Sequence, residues 1–255
     1  MKISGSSVWM LVATGALGLL APLAANSLAG SDAADKDGNT PLHSAAIKGN
    51  AKLAKMLLDH GAKADAANKN GQTPLHLAAG QSPARARAQA KVMTCLLDHG
   101  AKVDALDEII ETPLHMAAAR KNARLVKLLL DRGAKAEVAD KNGMTPLLWA
   151  SANDHTRTVW MLLDHGAKAD AANKNGQTPL HLAAANGRAE TAELLLTRGA
   201  RWNVSDNKGA TPLAHACGRT AQVLIAHGAD KSALPAELRE QLAKSGETGE
   251  CKVSQ

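Results

Sequence analysis

The run DHGAKADAANKNGQTPLHLAA stands twice in this chain, at residues 59–79 and again at 164–184. Copying on that scale limits the fold more than any other feature. A catalytic constellation is needed once, whereas a stack of similar units must present the same faces to successive neighbours. The word TPLH, or a close variant, begins at Thr40, Thr73, Thr112, Thr145, Thr178 and Thr211, at intervals of 33, 39, 33, 33 and 33 residues. This spacing predicts six short units with one insertion, and the two long copies suggest a duplicated block of three. Hydrophobic residues make up 45% of the 255 residues, yet Tyr and Phe are absent. A core of Leu, Ala, Val, Ile and Met suits thin, closely spaced helices better than an aromatic-rich sheet.

Each unit reads as turn, helix, helix. Asn or Asp with Gly in "KNG" makes a tight turn. Thr then caps a helix whose first turn holds Pro, where a missing amide hydrogen costs nothing. The Ala pair of "HLAA" thins one helix face. A second helix carries apolar clusters such as Leu128–Leu129–Leu130 and stops at the Gly of "DHGAK" or "TRGAR".

The words DKDGNTPLHSAAIKGN, NKNGQTPLHLAAG, DEIIETPLHMAAARKN, DKNGMTPLLWASANDH, NKNGQTPLHLAAANGR and DNKGATPLAHACG resemble the ankyrin repeat. The resemblance spans about residues 35–231 and implies an all-α ankyrin-repeat solenoid of helix-turn-helix units with protruding hairpin-like tips. It also implies a protein-binding role, with tips and first helices forming a concave contact surface. Carried over position by position, that surface takes in Lys36, Asp37, Ile47, Lys48, Lys69, Asn70, Arg120, Lys141, Asn142, Asn153, Lys174, Asn175 and Asn186. Its charges are mostly Lys, and the chain carries +6 overall, so the expected partner is another protein with an acidic surface. The array itself is expected to be monomeric.

Departures from the repeat carry the specific information. Six extra residues lie within GQSPARARAQAK, near residues 80–91, with Pro83, Arg85, Arg87 and Lys91, and are read as a tolerated surface loop, with a basic contact element as the alternative. Glu108, Ile109, Ile110 and Glu111 replace the usual tip, Leu148 replaces the usual His, and Trp149 follows it. Identical tips can read only the same feature twice. The strongest contact is therefore expected on the third and fourth units, at Glu108, Ile109, Ile110, Arg120, Lys141, Asn142, Met144, Trp149 and Asn153, with Lys69, Asn70, Lys174 and Asn175 as secondary tips. The opposing reading is that Ile110 and Trp149 only fill gaps between units. The last unit is short, and residues 232–255 read as a capping turn and a mobile tail.

Residues 1–29 read as a signal peptide: Lys2, an apolar run from Val8 to Leu20, and small residues ending at Ala29. An uncleaved anchor is the alternative. After a short lead-in over 30–34, no further long apolar run follows. The expected compartment is periplasmic or extracellular, with no membrane contact once the signal is removed. The biological reading is a scaffold, or alternatively an exported effector or inhibitor; an enzyme built on the solenoid is the minor alternative.

Ten histidines recur about once per unit and read as framework, with His43, His76, His115 and His181 hydrogen-bonding neighbouring backbone as the family does. No HExxH, Cys pair or carboxylate cluster suggests a metal, and no cofactor is expected. GxSxG, GxGxxG and the phosphate-binding loop are absent. No aromatic platform supports nucleic-acid binding. Cys95 is expected in the core. Four units of about 10 Å each separate it from Cys217, too far for a disulfide, while pairing of Cys217 with Cys251 stays open.

Overall fold

A computed structural model describes residues 33–234. Expectations for the signal peptide, for the start of the lead-in, and for the tail from Pro235 onward fall outside the described residues. The described chain is all-α, with twelve α-helices in six consecutive pairs, two short 3-10 turns and no strand among these residues.

The chain divides into two compact blocks, Met1–Glu108 and Ile109–Gln255. The first holds α1 (Pro41–Lys48), α2 (Ala51–Asp59), α3 (Pro74–Ala79), a 3-10 turn (Pro83–Arg85) and α4 (Ala86–Asp98). The second holds α5 (Pro113–Ala119), α6 (Ala123–Asp131), α7 (Pro146–Ala152), α8 (Thr156–Asp164), α9 (Pro179–Ala185), α10 (Ala189–Thr197), α11 (Pro212–His215), α12 (Gly218–Ala226) and a 3-10 turn (Lys231–Ala233). Within each block, first helices pack on first helices and second on second, and each pair packs internally.

The first helices form for local reasons. Thr112 has extended backbone and caps α5: its Oγ1 accepts the His115 amide at 3.4 Å, and Pro113 follows. The helix turns at 3.6 residues, so Leu114, Ala117 and Ala118 share one side, and all three are fully buried. Small alanines there allow the neighbouring helix to approach. The second helices bury a stripe such as Leu125, Val126 and Leu129 of α6. They end in a Schellman motif: after α2, the amide of left-handed Gly61 donates to Leu58 O at 2.9 Å and that of Ala62 to Leu57 O at 3.0 Å. Helices of about two turns are marginal alone, so the buried Leu layers supply their stability.

Two expectations are corrected. The insertion is only partly loop: it forms the 3-10 turn and extends α4 to 13 residues, against nine in α2. Gln89 in that extra turn is fully buried and donates from Nε2 to Ile47 O at 3.1 Å, which gives the added turn a partner. Cys95 is half-buried rather than core, because the buried stripe of α4 runs through Gln89, Val92, Met93 and Leu96 and Cys95 sits beside it.

Candidate functional site

The tips are built by one polar residue each. In the first block, Asn68 Oδ1 accepts the amides of Asn70 and Gln72, both at 3.0 Å. In the second, Asp140, Asn173 and Asp206 do the same for their own turns. Successive tips are then bonded backbone to backbone. Lys69 N donates to Asp37 O and Glu108 N to Asn70 O in the first block, and Lys141 N to Ile109 O, Lys174 N to Asn142 O and Asn207 N to Asn175 O in the second. The approach is close enough that a Cβ on Gly143 would lie 2.8 Å from Lys174 N.

These bonds fix the candidate residues without covering their side chains. Lys69, Asn70 and Glu108 are exposed on the first block. On the second, Lys141, Asn142, Lys174 and Asn175 are exposed, and Ile109 and Ile110 are 49% and 39% exposed. Ile110 takes the position that Gly fills in other tips, with φ 65°. A β-branched residue in the left-handed region is strained.

On the first helices of the second block, Arg120 and Asn153 are exposed. Met144 and Trp149 are half-buried and offer less surface than a tip and helix position suggest. The Met144 amide is held by Asp140 and its carbonyl by His115 Nε2, which turns the residue toward the stack. Trp149 Nε1 is buried without a hydrogen-bond partner, and Asn153 Nδ2 donates to Trp149 O at 2.9 Å. Two exposed apolar residues escaped the sequence reading: Leu106, at 53%, and Trp160, at 44% with the Arg198 guanidinium 5.7 Å from its ring centroid. Both were detectable by column. Leu106 stands where other units have Ala67, Ala139 and Ala172, and Trp160 where they have Lys55, Lys127 and Glu193.

The framework histidines behave as the resemblance implies where their bonds can be traced. His43 Nε2 reaches Gln72 O at 2.9 Å, His115 Nε2 reaches Met144 O at 3.0 Å, and His181 Nε2 reaches Ala210 O at 3.0 Å. The Thr40 amide donates to His43 Nδ1 at 3.0 Å, so the ring proton sits on Nε2. Burial holds the His43 and His181 rings below their ordinary pKa. Leu148 breaks the series: it is fully buried and brings no ring to the next unit.

One arrangement has the outline of a nucleophilic relay. Cys95 Sγ lies 3.9 Å from His99 Nδ1, and His99 Nε2 lies 3.1 Å from Asp59 Oδ1. Its chemistry points elsewhere. Nδ1 already donates to Cys95 O at 2.8 Å, so it cannot take the thiol proton, and burial pushes the Cys95 thiol up. This is a helix C-terminus closed by its histidine. No group of three or more metal-ligating side chains converges among the described residues, and none of their helices is long and apolar enough to cross a membrane. Cys217 is disulfide-bonded, Cys95 is free, and Cys251 lies outside the described residues.

The helix pairs, the capped TPLH turns and the bonded tips together define a protein of stacked repeats. A family model described as ankyrin repeats in three copies matches residues 10–107, 84–173 and 165–234. The chain belongs to the ankyrin-repeat family. No individual curated protein matches the sequence. Ankyrin repeats in general bind other proteins, and that coarse function extends to this chain.

Proposed function

We propose that this chain is an exported scaffold that binds one partner protein, with its main contact on the third and fourth repeats at Ile109, Ile110, Lys141, Asn142 and Arg120. The observation that carries the reading is Ile110. An isoleucine that is both exposed and held at φ 65° gives up stability that glycine would recover, and such residues persist where a surface needs their side chain. Ile109 beside it adds apolar area, while Lys141 and Arg120 are residues that draw in an acidic partner and set the rate of encounter.

The basic start and apolar run of the N-terminus support export. The disulfide at Cys217 is in keeping with an oxidising compartment such as the periplasm or the exterior. Lysines at the exposed tips, Lys69, Lys141 and Lys174, favour an acidic partner surface.

Affinity capture of the mature protein from its native compartment, followed by mass spectrometry, identifies the partner. Replacing Ile109 with Ala and Lys141 with Glu together weakens capture by about 2 kcal/mol or more and leaves the thermal transition nearly unmoved. A lowered transition with capture intact would show instead that the patch is packing, and would move the interface to the lysine tips.

A further inference from the structure

At the far ends of α5 and α7 from their tips, the second block holds a cavity of about 300 Å³ lined by Lys121, Asp154, His155, Arg157, Thr158 and Glu190, among others. Several independent features converge there. Lys121 and Asp154 have φ 59° and 58°, whereas the same turn is made by Gly49 in the first repeat and Gly187 in the fifth. Two non-glycine residues thus hold left-handed backbone, and both face one cavity.

His155 is only 8% exposed. Its Nδ1 lies 2.7 Å from Ala118 O and 3.1 Å from the Lys121 amide that points at it. Burial lowers the pKa of this ring, so it is neutral at pH 7. Thr158 Oγ1, in the same lining, is buried with no hydrogen-bond partner, the mark of a group awaiting one.

His155 also occupies the N-cap of α8 without capping it, whereas Asn50 and Asn122 cap α2 and α6 from the same position. The first-turn amides of this nine-residue helix are therefore open to an anion. Around the cavity stand two cations, Lys121 and Arg157, and two carboxylates, Asp154 and Glu190. None of the four is in an ion pair. Asp154 Oδ1 accepts the Thr191 hydroxyl at 3.1 Å, which anchors that carboxylate in place.

The geometry points to a site for a small zwitterion of the α-amino-acid class. Its carboxylate lies at the open first turn of α8 with Arg157, Lys121 and Thr158 Oγ1, and its ammonium faces Asp154 and Glu190. The volume lies at the small end of ligand pockets and suits a single amino acid. A simple anion would leave both carboxylates unanswered, and a simple cation would leave the helix terminus open. This site does not depend on the partner surface at the tips.

L-alanine, acetate and methylamine, titrated separately into isotope-labelled mature protein, test the assignment by NMR. L-alanine is expected to shift the His155 ring and the Thr156, Arg157 and Thr158 amides saturably, with acetate and methylamine each about tenfold weaker or worse. Arg157→Gln and Glu190→Gln, both at exposed positions, are each expected to weaken L-alanine binding about threefold to tenfold with an unchanged thermal transition. Absence of saturable shifts, equal binding of acetate or methylamine, or indifference to both substitutions overturns it.

Discussion

The imidazoles of this chain divide by which ring nitrogen carries the proton. His43 accepts at Nδ1 and donates from Nε2 to the next repeat. His155 turns Nδ1 instead to the preceding repeat, 2.7 Å from Ala118 O. His60 and His165 turn Nδ1 back on the carbonyl four residues earlier, at 2.7 and 2.8 Å. Removing a bridging ring orphans a buried Thr amide and a carbonyl together, so His181→Ala should lower stability by about 1–3 kcal/mol in urea denaturation, with no response to chelators. The pH dependence follows from the same burial. His43, His155 and His181 all titrate below the ordinary 6.5, so the unfolded chain takes up protons first. Their contribution is complete above pH 6.5 and is lost as pH falls below it toward the folded values. Asp35 and Asp206, lowered chiefly by the amides of Asn39 and Ala210, extend the loss below 3.8. A melting temperature that stays flat between pH 7.5 and 5 would contradict this. Ile110→Gly relieves the left-handed strain and, after the added chain entropy of glycine, should raise stability by about 1 kcal/mol while weakening partner capture.

Among the elements, α4 differs most from its counterparts. Its extra turn packs where Gly49 leaves room: a Cβ on Gly49 would lie 3.0 Å from Ala88 Cβ. The same turn satisfies Ile47 O through Gln89, at the cost of a buried Oε1 with no partner. Gln89→Ala should therefore destabilise by about 1–3 kcal/mol, whereas Arg87→Ala, at an exposed position, should stay within about 0.5 kcal/mol. Equal effects in chemical denaturation would mean that the insertion only decorates the surface. In α6, the fully buried Leu129 belongs to the layer that joins second helices. Leu129→Ala opens a cavity there and should cost about 2–5 kcal/mol.

At the scale of the whole molecule, export and oxidation are linked expectations. Intact-mass analysis of the mature protein should find its N-terminus at Gly30 or within a few residues of it. A retained Met1 in membrane fractions would favour the anchor instead. Peptide mapping without reductant should find Cys217 oxidised and Cys95 alkylatable, and a reductant should lower the melting temperature. The local words of the sequence determined the repeat, the capped first helices and the glycine-terminated second helices, because each signal acts within about four residues. Tertiary structure alone decided the rest. It made part of the insertion helical, left Cys95 beside the core, half-buried Met144 and Trp149, and exposed Leu106 and Trp160. It also set Lys121, Asp154, His155 and Glu190 around one cavity. The physical reason is separation along the chain: the partners that fix these outcomes lie a full repeat or more away, as Ile47 does from Gln89 at 42 residues and Ala118 from His155 at 37. Exposure and protonation at such positions depend on what the neighbouring repeat brings against them, which no window of adjacent residues contains.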